Sequence, residues 1–213
     1  VDRNKLKLLL LLSGFLVPIV SASWYFRSIQ DGSMLSTSNR GTLIRPMLDL
    51  PELQLRDDNG DAAYLSFEEM TEGVAPADYK PRPWQLLFLS SADCDADCAE
   101  RLYFLRQMHI RLGTESERVQ RVFVLVDDAT AQLSGELLET FATQQPDLRI
   151  VRGDRAQLQQ LLAPSAQGRD PVAEHFIYVA DPVGNVMLYF TPDNTLDEIL
   201  KDIDKLLDQS SLG

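Results

Sequence analysis

Beyond the N-terminal segment, two apolar runs, Trp84–Leu89 with Gln85 as its one polar residue and Val122–Val126, interrupt a mixed pattern of polar and apolar residues. Short runs rich in valine and phenylalanine are what strands buried on both faces look like. Between them apolar residues recur at 102, 105, 108 and 112, a helical period that predicts a helix over 99–112, with Gly113 as its stop. Beyond Val126 the pattern predicts a helix through Leu133–Phe141, a short strand at Leu148–Val151 and a helix over Arg155–Leu162. His175–Ala180 and Val186–Phe190 flank the turn-forming Asp181–Asn185 and read as a strand pair. A last helix is predicted from Thr195 to Leu207, with apolar residues at 196, 199, 200, 203, 206 and 207 on one face. Upstream, Gly41–Ile44 and Leu53–Leu55, the latter running into Asp58-Asn59-Gly60-Asp61, read as a further pair of strands. Residues 72–83, with three prolines, read as a loop.

The N-terminus has a different pattern. Leu8–Phe26 is almost uninterrupted apolar sequence, close to the ~20 residues a helix needs to cross a bilayer. Lys5 and Lys7 precede it and Trp24-Tyr25 close it, so residues 1–27 are expected to be a signal anchor that places the remainder of the chain outside the cytoplasm. The small residues Val20-Ser21-Ala22 leave open cleavage as a signal peptide. Residues 28–40, polar and rich in small side chains, read as a linker, and 41–213 as one domain. The net charge of −12 sharpens this division. Residues 1–27 hold four basic residues against one acid, which leaves about −15 on the rest and argues against nucleic acid as a partner. In a bacterium the expected address is the inner membrane, single-pass, with the acidic domain in the periplasm.

The candidate chemistry lies at the first strand-to-helix junction, in Cys94-Asp95-Ala96-Asp97-Cys98, which holds the only two cysteines. Two thiols one helical turn apart can hold a soft metal or close a disulfide, and the helix N-terminus lowers their pKa. Aspartates at 93, 95 and 97 work in the opposite direction on the thiols while attracting cations. A static structural disulfide is the plain alternative. Of the two histidines, His109 lies eleven residues past Cys98, roughly 16 Å along the same helix at ~1.5 Å per residue, too far to share an ion. His175 begins a predicted strand expected to lie beside the dithiol and is the candidate third ligand. Two thiolates and one imidazole suit copper(I).

The predicted order is βαβ, αβα, ββα with a dithiol after the first central strand. This α/β layout resembles the thioredoxin-like fold, with an N-terminal β-hairpin extension and an inserted strand and helix, preceded by one transmembrane helix. From about Gly41 to Leu207 the chain also resembles the Sco/SenC family of membrane-tethered copper proteins. The features that carry the likeness are the apolar strand before Cys-x-x-x-Cys, the Val122–Asp128 strand end and the Tyr178–Gly184 hairpin. The resemblance implies copper bound by Cys94, Cys98 and His175, and a role in assembling the CuA centre of cytochrome c oxidase, whose CuA-carrying subunit would be the partner. The sequence departs from the family at Asp95, where proline usually comes after the first cysteine. It departs again at Ala173, where the family's histidine would fall two residues before His175.

Three functions are compatible with these residues: a metallochaperone without turnover, a thiol-disulfide oxidoreductase that cycles Cys94 and Cys98 to keep client cysteines reduced, or a non-catalytic assembly scaffold. A thiol peroxidase is disfavoured, because Leu87 and Ser91 stand where its motif needs proline and threonine.

Overall fold

The computed structural model describes residues 3–30, 39–75, 77–127 and 131–210. Most of the predicted linker, residues 31–38, lies outside the described residues, as does Asp128. The chain divides into two compact units, 1–38 and 39–213. In the first, helix α1 (Arg3–Gln30) carries Pro18 inside it. The Ser21 hydroxyl donates to the Pro18 carbonyl at 3.0 Å, a local bond on the turn after the proline. Among the described residues no helix is long and apolar enough to cross a membrane; in α1 the run of described side chains spans residues 12–25.

The second unit is built on one six-stranded sheet in the order β1-β6-β5-β2-β3-β4. The strands are β1 (Thr42–Asp49), β2 (Trp84–Ser90), β3 (Val119–Asp127), β4 (Arg149–Asp154), β5 (Ile177–Ala180) and β6 (Asn185–Phe190). Strands β2, β3 and β4 run parallel, while β5 is antiparallel to β2 and β6 to β5. The helices are α2 (Phe67–Thr71), α3 (Ala96–Arg111), α4 (Gly135–Gln144), α5 (Arg155–Leu162) and α6 (Leu196–Gln209). This is the thioredoxin-like α/β architecture.

All seven residues of β2 are buried, the polar Gln85 and Ser90 among them. Their alternation divides the core. Leu87, Leu89, Val122, Val124, Val126, Val151 and Tyr178 face the layer closed by Leu158 and Leu162 of α5. Leu86, Phe88, Phe123, Leu125 and Val179 face the layer closed by α3, Phe141 of α4 and α6. With both faces covered, β2 is held in place at the centre, and its last residue delivers the chain to the dithiol.

The N-terminal β-hairpin is a correction. Strand β1 runs past Ile44 to Asp49 and pairs with β6, Thr42 opposite Tyr189 and Asp49 opposite Asn185, with a register shift between Leu43 and Leu48. Pro46 sits in that irregular stretch of an edge strand, where a missing N–H costs no ladder bond. Residues 50–53 form a 3-10 turn, and Leu53–Leu55 is not a strand; only Arg56 bridges, to Ala62 and to Arg152. The buried carboxylate of Asp202 on α6 fixes the start of β1 by accepting from the backbone N–H of Arg40 at 2.7 Å and of Gly41 at 2.9 Å.

Candidate dithiol site

Helix α3 starts three residues earlier than its apolar period predicts, and the reason lies inside the cysteine motif. Asp95 is the N-cap: its Oδ1 accepts from the Cys98 backbone N–H at 2.9 Å, and its carbonyl accepts from Ala99. Aspartate is among the best residues for this position because it satisfies one of the orphan donors of the first turn. Cys94 therefore lies just outside the helix, with a left-handed φ of 30° that is unusual for a residue with a side chain. Cys98 is the third helical residue.

The structure joins Cys94 and Cys98 in a disulfide. The two sulfurs are unequal. Cys98 is fully buried against the α3 layer of the core, and the Ser90 hydroxyl donates to its Sγ at 3.3 Å. Cys94 is half-buried at the surface. Cys94 is therefore the more accessible of the two sulfurs.

His175 comes to the same place, by a route other than the predicted strand. It stands two residues before β5, in the turn after Pro171, with a left-handed φ of 51°. Its backbone N–H donates to Val172 and that of Phe176 to Pro171, while the Phe176 carbonyl accepts from Leu89 of β2. The imidazole is buried, stacked on Phe88 at 5.8 Å between ring centroids and 22° between planes. Its Nε2 hydrogen-bonds Asp95 Oδ1 at 3.2 Å, and its buried Nδ1 has no partner among the described residues. One carboxylate oxygen thus joins the first turn of the cysteine helix to the histidine turn. The Cys98 N–H and, after it, the His175 side chain hold the Asp95 carboxyl below its ordinary range.

The turn that carries His175 is clamped from its far side. Arg169 bonds Glu174 through Nε at 2.7 Å and Asp193 through Nη1 at 2.5 Å, and lies 5.3 Å above the Phe176 ring. Those two carboxylates push the Arg169 pKa up. A cavity of about 550 Å³ opens beside His175 between α3 and the β6–α6 loop, with Asp97, Glu100, Glu174 and Asp193 around it. Arg101 also lines it, nine-tenths buried, with Nη2 donating to the Thr191 carbonyl at 3.0 Å.

His109 stays remote, as expected, and its role is structural: Nε2 lies 3.0 Å from the Ser116 carbonyl and 2.8 Å from that of Val119, pinning the 3-10 turn that leads into β3. Sequence reasoning does not find Asp95 as the link, Phe88 as the floor under His175, Ser90 or the Arg169 clamp. Only Asp95 has a local signal, an N-cap residue three positions before Cys98.

Copper, the metal implied by the Sco/SenC resemblance, can be tested against these residues. Among the described residues no group of three or more His, Cys, Asp or Glu side chains is arranged to hold a metal ion, and a disulfide offers no thiolates. The donor chemistry nevertheless fits a soft ion: once reduced, the pair offers two sulfurs at a helix N-terminus, and the nearby imidazole has a buried nitrogen that no described protein group satisfies.

A dithiol after the central strand of such a sheet, on the first turn of the next helix, defines a thioredoxin-fold dithiol protein. A family model, the transmembrane-like, thioredoxin-like C-terminal domain, matches residues 84–210, more than half of the chain, and the chain belongs to that family. No curated protein matches the sequence. Among solved structures it is similar to copper-bound yeast Sco1, at 13% identity and TM-score 0.51, covering 81% of this chain and 93% of that one. It is similar to apo Sco1 of Thermus thermophilus at 18% identity and TM-score 0.51, covering 80% and 98%. BsSco, a member of the Sco family of cytochrome c oxidase assembly proteins in which a disulfide switch was identified, matches at 13% and 0.50, covering 82% and 98%. At these identities the likeness is one of fold.

Proposed function

We propose that this protein is a copper-handling assembly factor whose working group is the Cys94–Cys98 pair, with His175 as third ligand after reduction. The observation that carries the reading is the convergence of the two sulfurs and His175 through the single carboxylate of Asp95. When bound, copper(I) would be held by the two thiolates and the imidazole; such a site stores and passes on the ion without turnover. The protein's own contribution is to keep Cys98 buried, to leave Cys94 reachable and to hold the imidazole on Phe88.

In this reading residues 1–27 anchor the chain in a bacterial inner membrane and 28–40 tether the domain 41–213 in the periplasm. The apolar run Leu8–Phe26 and the exposed Phe15, Val17, Ile19 and Trp24 of α1 support that anchor. The partner is the oxidase subunit that carries CuA, a reading supported by the shared fold with BsSco. The test is a Cu(I) titration of the reduced full chain, compared with Cys94→Ser/Cys98→Ser. One equivalent bound by the wild type and none by the double variant supports the reading; equal binding by both rejects it.

A thiol-disulfide oxidoreductase is the second reading, favoured by the closed disulfide and by the contrast between a reachable Cys94 and a buried Cys98. It predicts that Cys94→Ser alone abolishes reduction of a disulfide client while His175→Ala leaves the rate within about twofold. A scaffold that needs neither cysteine would support oxidase assembly as the double serine variant.

A further inference from the structure

At the end of the sheet opposite the dithiol, where β2, β3 and β4 begin, a recess of about 310 Å³ opens. Arg82 and Arg149 line it together with Tyr64 and Gln120, and Leu65 and Met70 supply apolar wall. The two guanidinium carbons lie 4.9 Å (Arg149) and 5.8 Å (Arg82) from the centre of the one Tyr64 ring. Two cations thus share a single aromatic ring in a part of the chain that carries about −15 overall.

Neither is neutralised. Among the described residues neither Arg82 nor Arg149 forms a salt bridge. Their hydrogen bonds go to neutral acceptors: Arg149 Nη2 to the Ala63 carbonyl at 2.9 Å, and Arg82 Nη2 to the Leu65 carbonyl and to Met70 Sδ, both at 2.7 Å. Among the described residues Arg82 Nε and Nη1, both buried, have no hydrogen-bond partner. Burial holds the Arg82 pKa down, with a small further contribution from the charge of Arg149, while Tyr79, Tyr64 and Asp181 oppose it. The Asp181 carboxylate itself is occupied by the turn 181–185, accepting from Val183, Gly184 and Asn185. Two neighbouring cations half-withdrawn from water, with no ion pair among the described residues and only the charge of Asp181 nearby, are an unfavourable arrangement that an entering anion relieves. A guanidinium is the side chain best shaped to take a carboxylate through two parallel hydrogen bonds, and the aromatic and aliphatic walls suit an apolar body attached to it.

We propose that this recess is a binding site for a small organic carboxylate. It is built from residues that play no part in the dithiol site, so it stands whether or not the protein handles copper.

The test uses the full chain, sodium benzoate as the probe and benzamide as its neutral counterpart, with calorimetric titration and thermal unfolding at matched ionic strength. Benzoate is expected to bind saturably and raise the Tm, with benzamide at least tenfold weaker. Arg149→Gln should weaken benzoate at least tenfold. Leu65→Glu, at an exposed rim position, supplies a tethered carboxylate and should weaken benzoate while raising the Tm of the ligand-free protein. Absence of benzoate binding, equal binding of benzoate and benzamide, or unchanged benzoate affinity in Arg149→Gln would overturn the proposal. If Arg149→Gln fails to fold, unchanged affinity in Leu65→Glu overturns it instead.

Discussion

Replacing Asp95 by alanine removes two interactions made by one oxygen, and their separate costs can be worked out. The bond to the Cys98 N–H is an N-cap. Because the Asp95 side chain is 62% exposed, water can reach the freed donor, which places the loss near ~1 kcal/mol, mid-range for a cap. The bond to His175 differs, because the histidine side chain is only 7% exposed. With Nδ1 already lacking a partner, the imidazole would lose its remaining one, a further cost of about 1 kcal/mol or more for a buried polar group. The sum, about 2 kcal/mol, is roughly a thirtyfold change in the folded-to-unfolded ratio. In a domain of this size it lowers Tm by about 4–8 °C. Asp95→Asn keeps an oxygen that can both cap the helix and accept from Nε2–H, so it should lose less than about 0.5 kcal/mol. The assay is urea unfolding of the oxidised protein at neutral pH, with the slope checked for constancy. The double variant Asp95→Ala/His175→Ala isolates the shared bond as a coupling of about 1 kcal/mol. The reasoning is refuted if alanine and asparagine destabilise equally, or if the double-variant cycle shows no coupling.

Further outcomes are expected elsewhere in the fold. Burial pushes the Tyr64 phenol up to about 12, against the opposing charges of Arg149 and Arg82. The folded state therefore keeps a proton that the unfolded chain loses near pH 10, and stability should be full below that point and decline between pH 10 and about 12. Burial raises the Tyr178 phenol as well, so Tyr64→Phe should lessen that alkaline decline in urea midpoints without abolishing it; an unchanged slope would show that Tyr64 does not contribute. At Gly153 an added Cβ would meet the Leu158 side chain and come within 2.9 Å of Leu55 Cδ2, so Gly153→Ala should destabilise by ~1–3 kcal/mol through overpacking. Calorimetry showing no loss would mean that those leucines can move aside. Arg169→Ala removes partly exposed ion pairs, worth under about 1 kcal/mol. Its larger effect should be faster amide exchange at 172–176, and unchanged exchange there would show that the clamp does not hold the histidine turn.

What is legible in the sequence is what local pattern controls. The strands β2 and β3 announce themselves through runs that only a doubly covered strand can bury, and the period in α3 and α6 identifies the faces that cover them. The dithiol is visible because cysteine is chemically distinctive. Local pattern finds the start of β1 at Gly41–Ile44 but neither its extent nor its partner, because β6 is more than a hundred residues away and a nearby turn at 58–61 imitates a hairpin. The start of α3 is misplaced because the apolar period begins after the helix does, while the cap that sets its first turn is a polar residue inside the cysteine motif. The apolar neighbours of His175 make it look like part of a strand. Its left-handed backbone and its stacking on Phe88 depend on the turn after Pro171 meeting the end of β2, a tertiary event with no local signature.

The central claim is that His175 joins Cys94 and Cys98 around one soft ion. The most direct measurement is the Cu(I) affinity of the reduced full chain against a competing chelator, for wild type and His175→Ala. The account predicts one tightly held equivalent whose affinity falls at least tenfold in the variant. Equal affinity in the two proteins would contradict it.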